Sequence, residues 1–109
     1  MSGSSKWRLH RYVDPKGSEP FSVWLNELDR TARRRIIVAL ARLEAGNIGA
    51  LKSLGGGLGE LKIDFGPGYR VYIARRGRDD LVLLTGGEKN SQQSDIRLAK
   101  SFIAVLKES

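Results

Sequence analysis

The stretch ELKIDFGPGYRVYIA, Glu60 to Ala74, constrains the fold more than any other part of the chain. Leu61, Ile63 and Phe65 alternate with Glu60, Lys62 and Asp64. After Gly66-Pro67-Gly68, Val71 and Ile73 alternate with Arg70 and Tyr72. Period-two alternation marks a strand with one buried face, and a Gly-Pro-Gly turn between two such runs closes an antiparallel hairpin. A one-residue slip would turn one strand's apolar set outward, so the numbers of facing residues must sum to an even value. Pairing Asp64 with Arg70 meets that condition; Lys62 then faces Tyr72 and Glu60 faces Ala74. Glu60, Lys62, Asp64, Arg70 and Tyr72 consequently form one polar patch, expected on the side away from the helices. Cross-strand charge pairing, worth roughly 0.2 to 1 kcal/mol per pair, is the purely structural account of such a patch.

The flanking sequence supplies the other elements. WRLHRYV, Trp7 to Val13, alternates as a half-buried strand, and Asp14 to Ser18 reads as a turn. Phe21, Trp24, Leu25 and Leu28 fall at helical spacing, with Ser18 as the expected N-cap and Pro20 in the first turn. Asp29 makes a short break before a second helix, which carries Ile36, Ile37, Leu40 and Leu43 inward and stops at Gly46. Its opening holds Arg30, Arg33, Arg34 and Arg35, with Arg42 a later turn away. That charge suits a solvated face, phosphate contacts or an acidic partner. Asn47 to Gly59 is expected to be a flexible joint, because its glycines lead into a strand and phosphate-binding glycine loops open a helix. LVLLT, Leu81 to Thr85, is a continuous apolar run, as in a central strand buried on both faces. Gly86 to Ser91 forms an exit loop, and Ser91 or Ser94 caps a last helix with Ile96, Ala99, Ile103 and Leu106 inward. The order is β-α-α-β-β-β-α: an α+β class in which helices cover one side of an antiparallel sheet.

Composition narrows the function. The 109 residues suit one domain over residues 1–109, with residues 1–6 (MSGSSK) a flexible lead-in. The absence of cysteine removes disulfides, thiolate zinc sites and cysteine nucleophiles. No secretory signal or membrane-length apolar run is legible, so a cytoplasmic protein is expected. Nineteen Lys and Arg against twelve Asp and Glu give a net charge of +7, which favours polyanions as partners. His10 stands alone, without the second histidine or tight carboxylate cluster that a metal site needs.

Beside the hairpin patch, the exit loop brings Glu88, Lys89, Asn90, Ser91, Gln92 and Gln93, followed by Asp95. Cations, amides and Tyr72 around a shallow face suit RNA, where cations meet phosphates and an aromatic stacks on a base. RNA cleavage through the 2'-OH needs a base, donors for the negative phosphorane and an acid for the departing 5' oxygen. Arg70 suits the donor role, because its planar fork binds two phosphate oxygens at once. Lys62, crowded by Arg70 and Lys89, is one candidate base; Glu60 and Asp64 are others, and Lys89 can neutralise the leaving oxygen.

The element order, the ELKIDFGPGYRVYI hairpin and the LLTGGEKNSQQSDI exit loop together resemble the RelE/ParE toxin superfamily, most closely its HigB-like "addiction module killer protein" branch. The resemblance runs from Trp7 to about Leu106. It implies a RelE-like fold and the toxin half of a type II toxin–antitoxin pair, a cytoplasmic endoribonuclease that cuts mRNA, usually on the ribosome, without metal or cofactor. By the same resemblance Lys62, Arg70 and Lys89 are the catalytic residues; Glu60, Asp64, Tyr72, Ser91, Gln92 and Asp95, read from the hairpin patch and the exit loop, are expected to surround the substrate. Where some members carry a tyrosine or histidine near the last helix, this chain has Gln92, Gln93 and Asp95. A helix-turn-helix antitoxin is the implied protein partner. The alternatives are a ParE-like toxin that binds DNA gyrase and a non-catalytic module that binds antitoxin or nucleic acid.

Overall fold

A computed structural model describes residues 6–108; most of the MSGSSK lead-in expected at residues 1–6 lies outside the described residues. Eight elements are ordered β1 (Arg8–Arg11), α1 (Pro20–Asn26), α2 (Arg30–Glu44), β2 (Leu51–Gly55), β3 (Leu58–Ile63), β4 (Tyr69–Arg76), β5 (Asp80–Glu88) and α3 (Gln92–Glu108). Single 3-10 turns at Ile48–Ala50 and Lys89–Ser91 precede β2 and α3. The strands form one sheet in the order β1-β5-β4-β3-β2. This is the expected α+β, RelE-like class, with differences in strand number, in strand direction and in the helices, which were expected on one side of the sheet only and lie on both.

The first is a strand more than expected. The glycine-rich connection read as a flexible joint is ordered as a hairpin, in which β2 pairs antiparallel with β3. Gly55, Gly56 and Gly57, with φ of 90°, 63° and 83°, make its turn in the left-handed region that other residues avoid. The second is direction. β1 pairs parallel with β5 while all other pairs are antiparallel, so the sheet is mixed.

Burial follows the alternation. Leu61, Ile63, Tyr69, Val71, Ile73, Leu81 and Leu83 face α1 and α2, which bring Phe21, Leu25, Ala32, Ile36, Leu40 and Leu43. Ile37, expected inward, is 44% exposed, because it lies one step off the stripe formed by Ala32, Ile36, Leu40 and Leu43. At the start of α1 the cap position is Glu19, not Ser18, and Ser22 Oγ donates to its carboxylate at 2.7 Å. Asp29 caps α2 by accepting from the Ala32 amide at 2.8 Å.

The opposite face of the sheet is also covered. Tyr12, Leu58, Tyr72, Ala74, Val82 and Leu84 pack with Ala99 of α3, joined by Ile96, Phe102, Ile103 and Leu106. Helices therefore lie on both sides of the sheet, and the hairpin's polar face is the one beneath α3. β5 is buried from Leu81 to Gly87, as its unbroken apolar run requires.

Candidate functional site

The hairpin keeps the expected parity but closes two residues earlier than expected. Lys62 pairs with Arg70, Glu60 with Tyr72 and Leu58 with Ala74. Asp64 is drawn out of the strand into the turn, where the Phe65 amide donates to Ile63 O and the Gly68 amide donates to Phe65 O, each at 3.0 Å. The five-residue connection needs φ of 57° at Gly66 and 81° at Gly68. Asp64 is exposed there and is removed from the polar face it was expected to share with Arg70.

β5 extends this face, since Arg70 pairs with Gly87 and Tyr72 with Thr85. Two polar rows result: Lys62, Arg70 and Gly87, then Glu60, Tyr72 and Thr85. Apolar rows follow beneath the body of α3. Glu60 and Arg70 are each 5% exposed and Tyr72 is fully buried, while Lys62 is exposed at the margin. The Tyr72 ring therefore offers no open face for base stacking.

The first turn of α3 closes over the rows. Gln92 Nε2 donates to Glu60 Oε2 at 2.7 Å. Ser91 Oγ donates to Asp95 Oδ2 at 2.5 Å, and Asp95 sits where a Cβ at position 87 would have to lie. Gly86 likewise makes room for the Trp24 ring. The glycine pair thus admits side chains of this chain, where its expected use was close approach to a ligand. The Lys89 amide donates to Gly68 O at 2.8 Å, which ties the exit turn to the tip of the hairpin. A shallow depression of about 460 Å³, lined by Lys89, Asn90, Ser91, Gln92, Gln93 and Arg97 among others, opens over this turn.

Charge within the cluster is incompletely paired. Arg70 Nε lies 3.4 Å from Glu60 Oε2. Neither Nε nor Nη1 of Arg70, nor the hydroxyl of Tyr72, has a hydrogen-bond partner. Burial pushes the Tyr72 phenol well above its usual pKa, and the nearby negative charges of Glu60 and Asp95 push in the same direction. Among the described residues no group of three or more His, Cys, Asp or Glu could hold a metal ion, and no helix is long and apolar enough to cross a membrane.

Of the residues singled out from sequence, Glu60, Lys62, Arg70, Tyr72, Lys89, Ser91, Gln92 and Asp95 converge at one end of the α3 face, and Asp64 does not. His10 lies elsewhere, on the edge strand β1, with Nε2 2.8 Å from Asp80 Oδ1. Thr85, buried opposite Tyr72, completes the second row. It was hidden from the sequence inside an apolar run.

A sheet with a helical hairpin on one face and a C-terminal helix over a basic, polar corner on the other defines the RelE-like class of small α+β proteins. The family model described as "Phage derived protein Gp49-like (DUF891)" matches residues 23–103. The chain therefore belongs to the Gp49-like family, a toxin-like family related to the RelE/HigB-type toxin–antitoxin modules. It is also 42% identical over 89 residues to an uncharacterized protein of Haemophilus influenzae, covering 81% of this chain and 90% of that protein. An antitoxin is the partner that such a family implies.

Proposed function

We propose that the protein is the toxin of a toxin–antitoxin pair and acts as an mRNA endoribonuclease in which Arg70 grips the scissile phosphate. The observation that carries this reading is the state of Arg70: 5% exposed, with Nε and Nη1 left without hydrogen-bond partners. Unmade hydrogen bonds at a buried charged group cost more than the usual roughly 1 to 3 kcal/mol of a neutral one. A phosphodiester supplies two oxygens at the spacing of the guanidinium's Nη1–Nη2 edge and would satisfy Nη1, while Nε keeps its long contact with Glu60. Lys62 directly across the strand pair and Lys89 beside the hairpin tip add positive charge where the phosphorane becomes more negative.

The chemistry then runs through the 2'-OH. A base takes its proton, O2' bonds to phosphorus, and the P–O5' bond breaks as the departing oxygen is neutralised, leaving a 2',3'-cyclic phosphate and a 5'-OH. Glu60 is the carboxylate nearest Arg70 and is available to accept the proton once Gln92 releases it; Lys62 is the other candidate. RNA reaches Arg70 only if the first turn of α3 gives way, and the depression over Lys89 to Arg97 is where a strand can lie before it does. Ribosomal RNA or the bound message can drive that movement, which is consistent with cleavage on the ribosome.

Induced expression, with and without the co-expressed antitoxin, tests the reading when RNA 5' ends are mapped by sequencing. Wild-type chain should arrest growth with codon-periodic cuts in translated messages. Arg70→Ala should lose about 10²-fold or more in cleavage, the scale at which removal of one preorganised donor is felt. Arg70→Lys, which keeps the buried charge but not the fork, should lose nearly as much while staying folded by circular dichroism. A folded, fully toxic Arg70→Lys chain would sink the assignment. Arrest with DNA damage and intact RNA would favour a gyrase-binding toxin.

A further inference from the structure

The α3 face carries a second basic cluster at its other end, which the proposed reaction does not use. Arg76 closes β4 six residues after Arg70, which places it roughly 20 Å away at the rise of a strand. Asp80 pairs with Arg76 on one side and with Arg8 on the other, and His10 is the next residue of β1 on that face. These residues line a depression of about 710 Å³, with Arg11 at its rim and Leu106 of α3 on its wall.

Asp80 organises the cluster. It accepts from Arg8 Nε at 2.8 Å and Nη2 at 3.2 Å, and lies 2.8 Å from His10 Nε2. A guanidinium has five N–H donors, so Arg8 is fixed in direction with donors to spare. The side chain of Arg76 makes no hydrogen bond or ion pair among the described residues. Arg11 is held to α1 by a 2.6 Å bond to Ser22 Oγ and lies over the Phe21 ring. Three arginines and an imidazole thus line the depression against Asp80, with Asp79 also acting on Arg8. The excess charge is positive, and it is presented on forks that match phosphate.

We propose that this cluster is a phosphate-binding site for single-stranded RNA, holding the strand at a point distant from the one that Arg70 engages. The side chains of Arg8 and His10 are 68% and 51% exposed. So open a site suits a strand passing across it and not an enclosed small ligand. The inference rests on the RNA reading of the Arg70 corner for its choice of polyanion, but its test does not require cleavage.

The probe is a fluorescent single-stranded 2'-O-methyl oligoribonucleotide, which cannot be cut because the attacking hydroxyl is blocked, titrated with the full chain at several salt concentrations. Removing two phosphate contacts in Arg8→Gln/Arg76→Gln should weaken binding about tenfold and lower the magnitude of the log–log salt slope by about 1.4, the single-strand value for two contacts. The control pair Arg34→Gln/Arg42→Gln removes the same charge from α2 and should change affinity less than about twofold. Asp80→Asn weakens the Arg8 and His10 contacts, leaving one acceptor oxygen, yet removes the opposing charge, and should tighten binding; a merely structural cluster predicts the reverse. Equal losses from both arginine pairs, no loss from the first, or no binding by the wild-type chain would overturn the site. Unchanged RNA affinity with lost antitoxin capture would assign the cluster to an acidic protein and overturn it too. A chain that binds through this cluster but never cuts RNA would overturn the nuclease reading alone.

Discussion

Tyr72 concentrates the tension of the buried corner. Its ring is fully buried between the sheet and α3, its hydroxyl lies near Glu60 without a well-formed hydrogen bond, and Glu60 and Asp95 both oppose its ionisation. The native state therefore holds the phenol proton more tightly than the unfolded chain, whose tyrosines titrate near pH 10. Stability from this source is fully present below about pH 10 and is lost as pH rises through the higher native value. Tyr72→Phe should raise stability by about 1 kcal/mol at neutral pH, because an unsatisfied buried hydroxyl disappears. It should also flatten the decline of the melting temperature between about pH 9 and pH 11, leaving the smaller slopes from Tyr12 and Tyr69, whose pKa values burial also raises. Thermal melts of both chains across that range check it; parallel pH curves would show that Tyr72 is not the source. Sequence parity alone put Glu60, Arg70 and Tyr72 on one face, since that depends only on the period of a strand. Their burial was not legible, because it depends on α3 crossing that face from more than twenty residues away. Asp64 was misplaced for a local reason: the left-handed glycines at 66 and 68 allow a longer turn than the tightest one, and the register follows the turn.

Elements whose pattern is local were visible in the chain. α2 shows this, with its stripe of Ala32, Ile36, Leu40 and Leu43 and a cap at Asp29. Asp29 Oδ1 takes one of the four amides that a helix start leaves unpaired. Asp29→Ala should therefore cost about 1 kcal/mol in urea unfolding, and Asp29→Ser, which can still accept, clearly less. Equal losses for the two variants would mean that the aspartate acts through charge and not as a cap. β2 was invisible for the opposite reason. Leu51–Gly55 has only two half-buried leucines and ends in glycine, so its own sequence hardly favours a strand; pairing with β3 makes it one. The parallel docking of β1 beside β5 was equally beyond reach, since the partner lies some seventy residues away and nothing in WRLHRYV specifies direction. That docking is what brings Arg8 and His10 to Asp80, so the second basic cluster was illegible until the strand order was known.

At the scale of the molecule, two apolar clusters lie on opposite faces of the same strands. One contains Val71, Ile73, Leu81 and Leu83 with α1 and α2; the other contains Tyr72, Ala74, Val82 and Leu84 with α3. Adjacent residues of β4 and β5 belong to different clusters, so neither can loosen without disturbing the backbone that shapes the other. The two faces should consequently unfold as one cooperative unit. Both tryptophans pack against the first cluster, whereas Phe102 stacks on Tyr12 in the second with ring centroids 4.6 Å apart. Phe102→Ala should cost about 2 kcal/mol, below the range for a fully buried phenylalanine because the ring is only partly covered. The consequence of shared strands is that tryptophan fluorescence, on the far side of the sheet, should shift its urea midpoint by the same amount as the helical circular-dichroism signal. If α3 were an independent strap, helix signal would be lost first and the tryptophan transition would stay where it is in the wild type. Coincident shifts would further mean that the α3 turn over Arg70 opens by a local rearrangement near Ser91 and Gln92, and not by release of the whole helix, because releasing the helix would dismantle the cluster that keeps β4 and β5 in place.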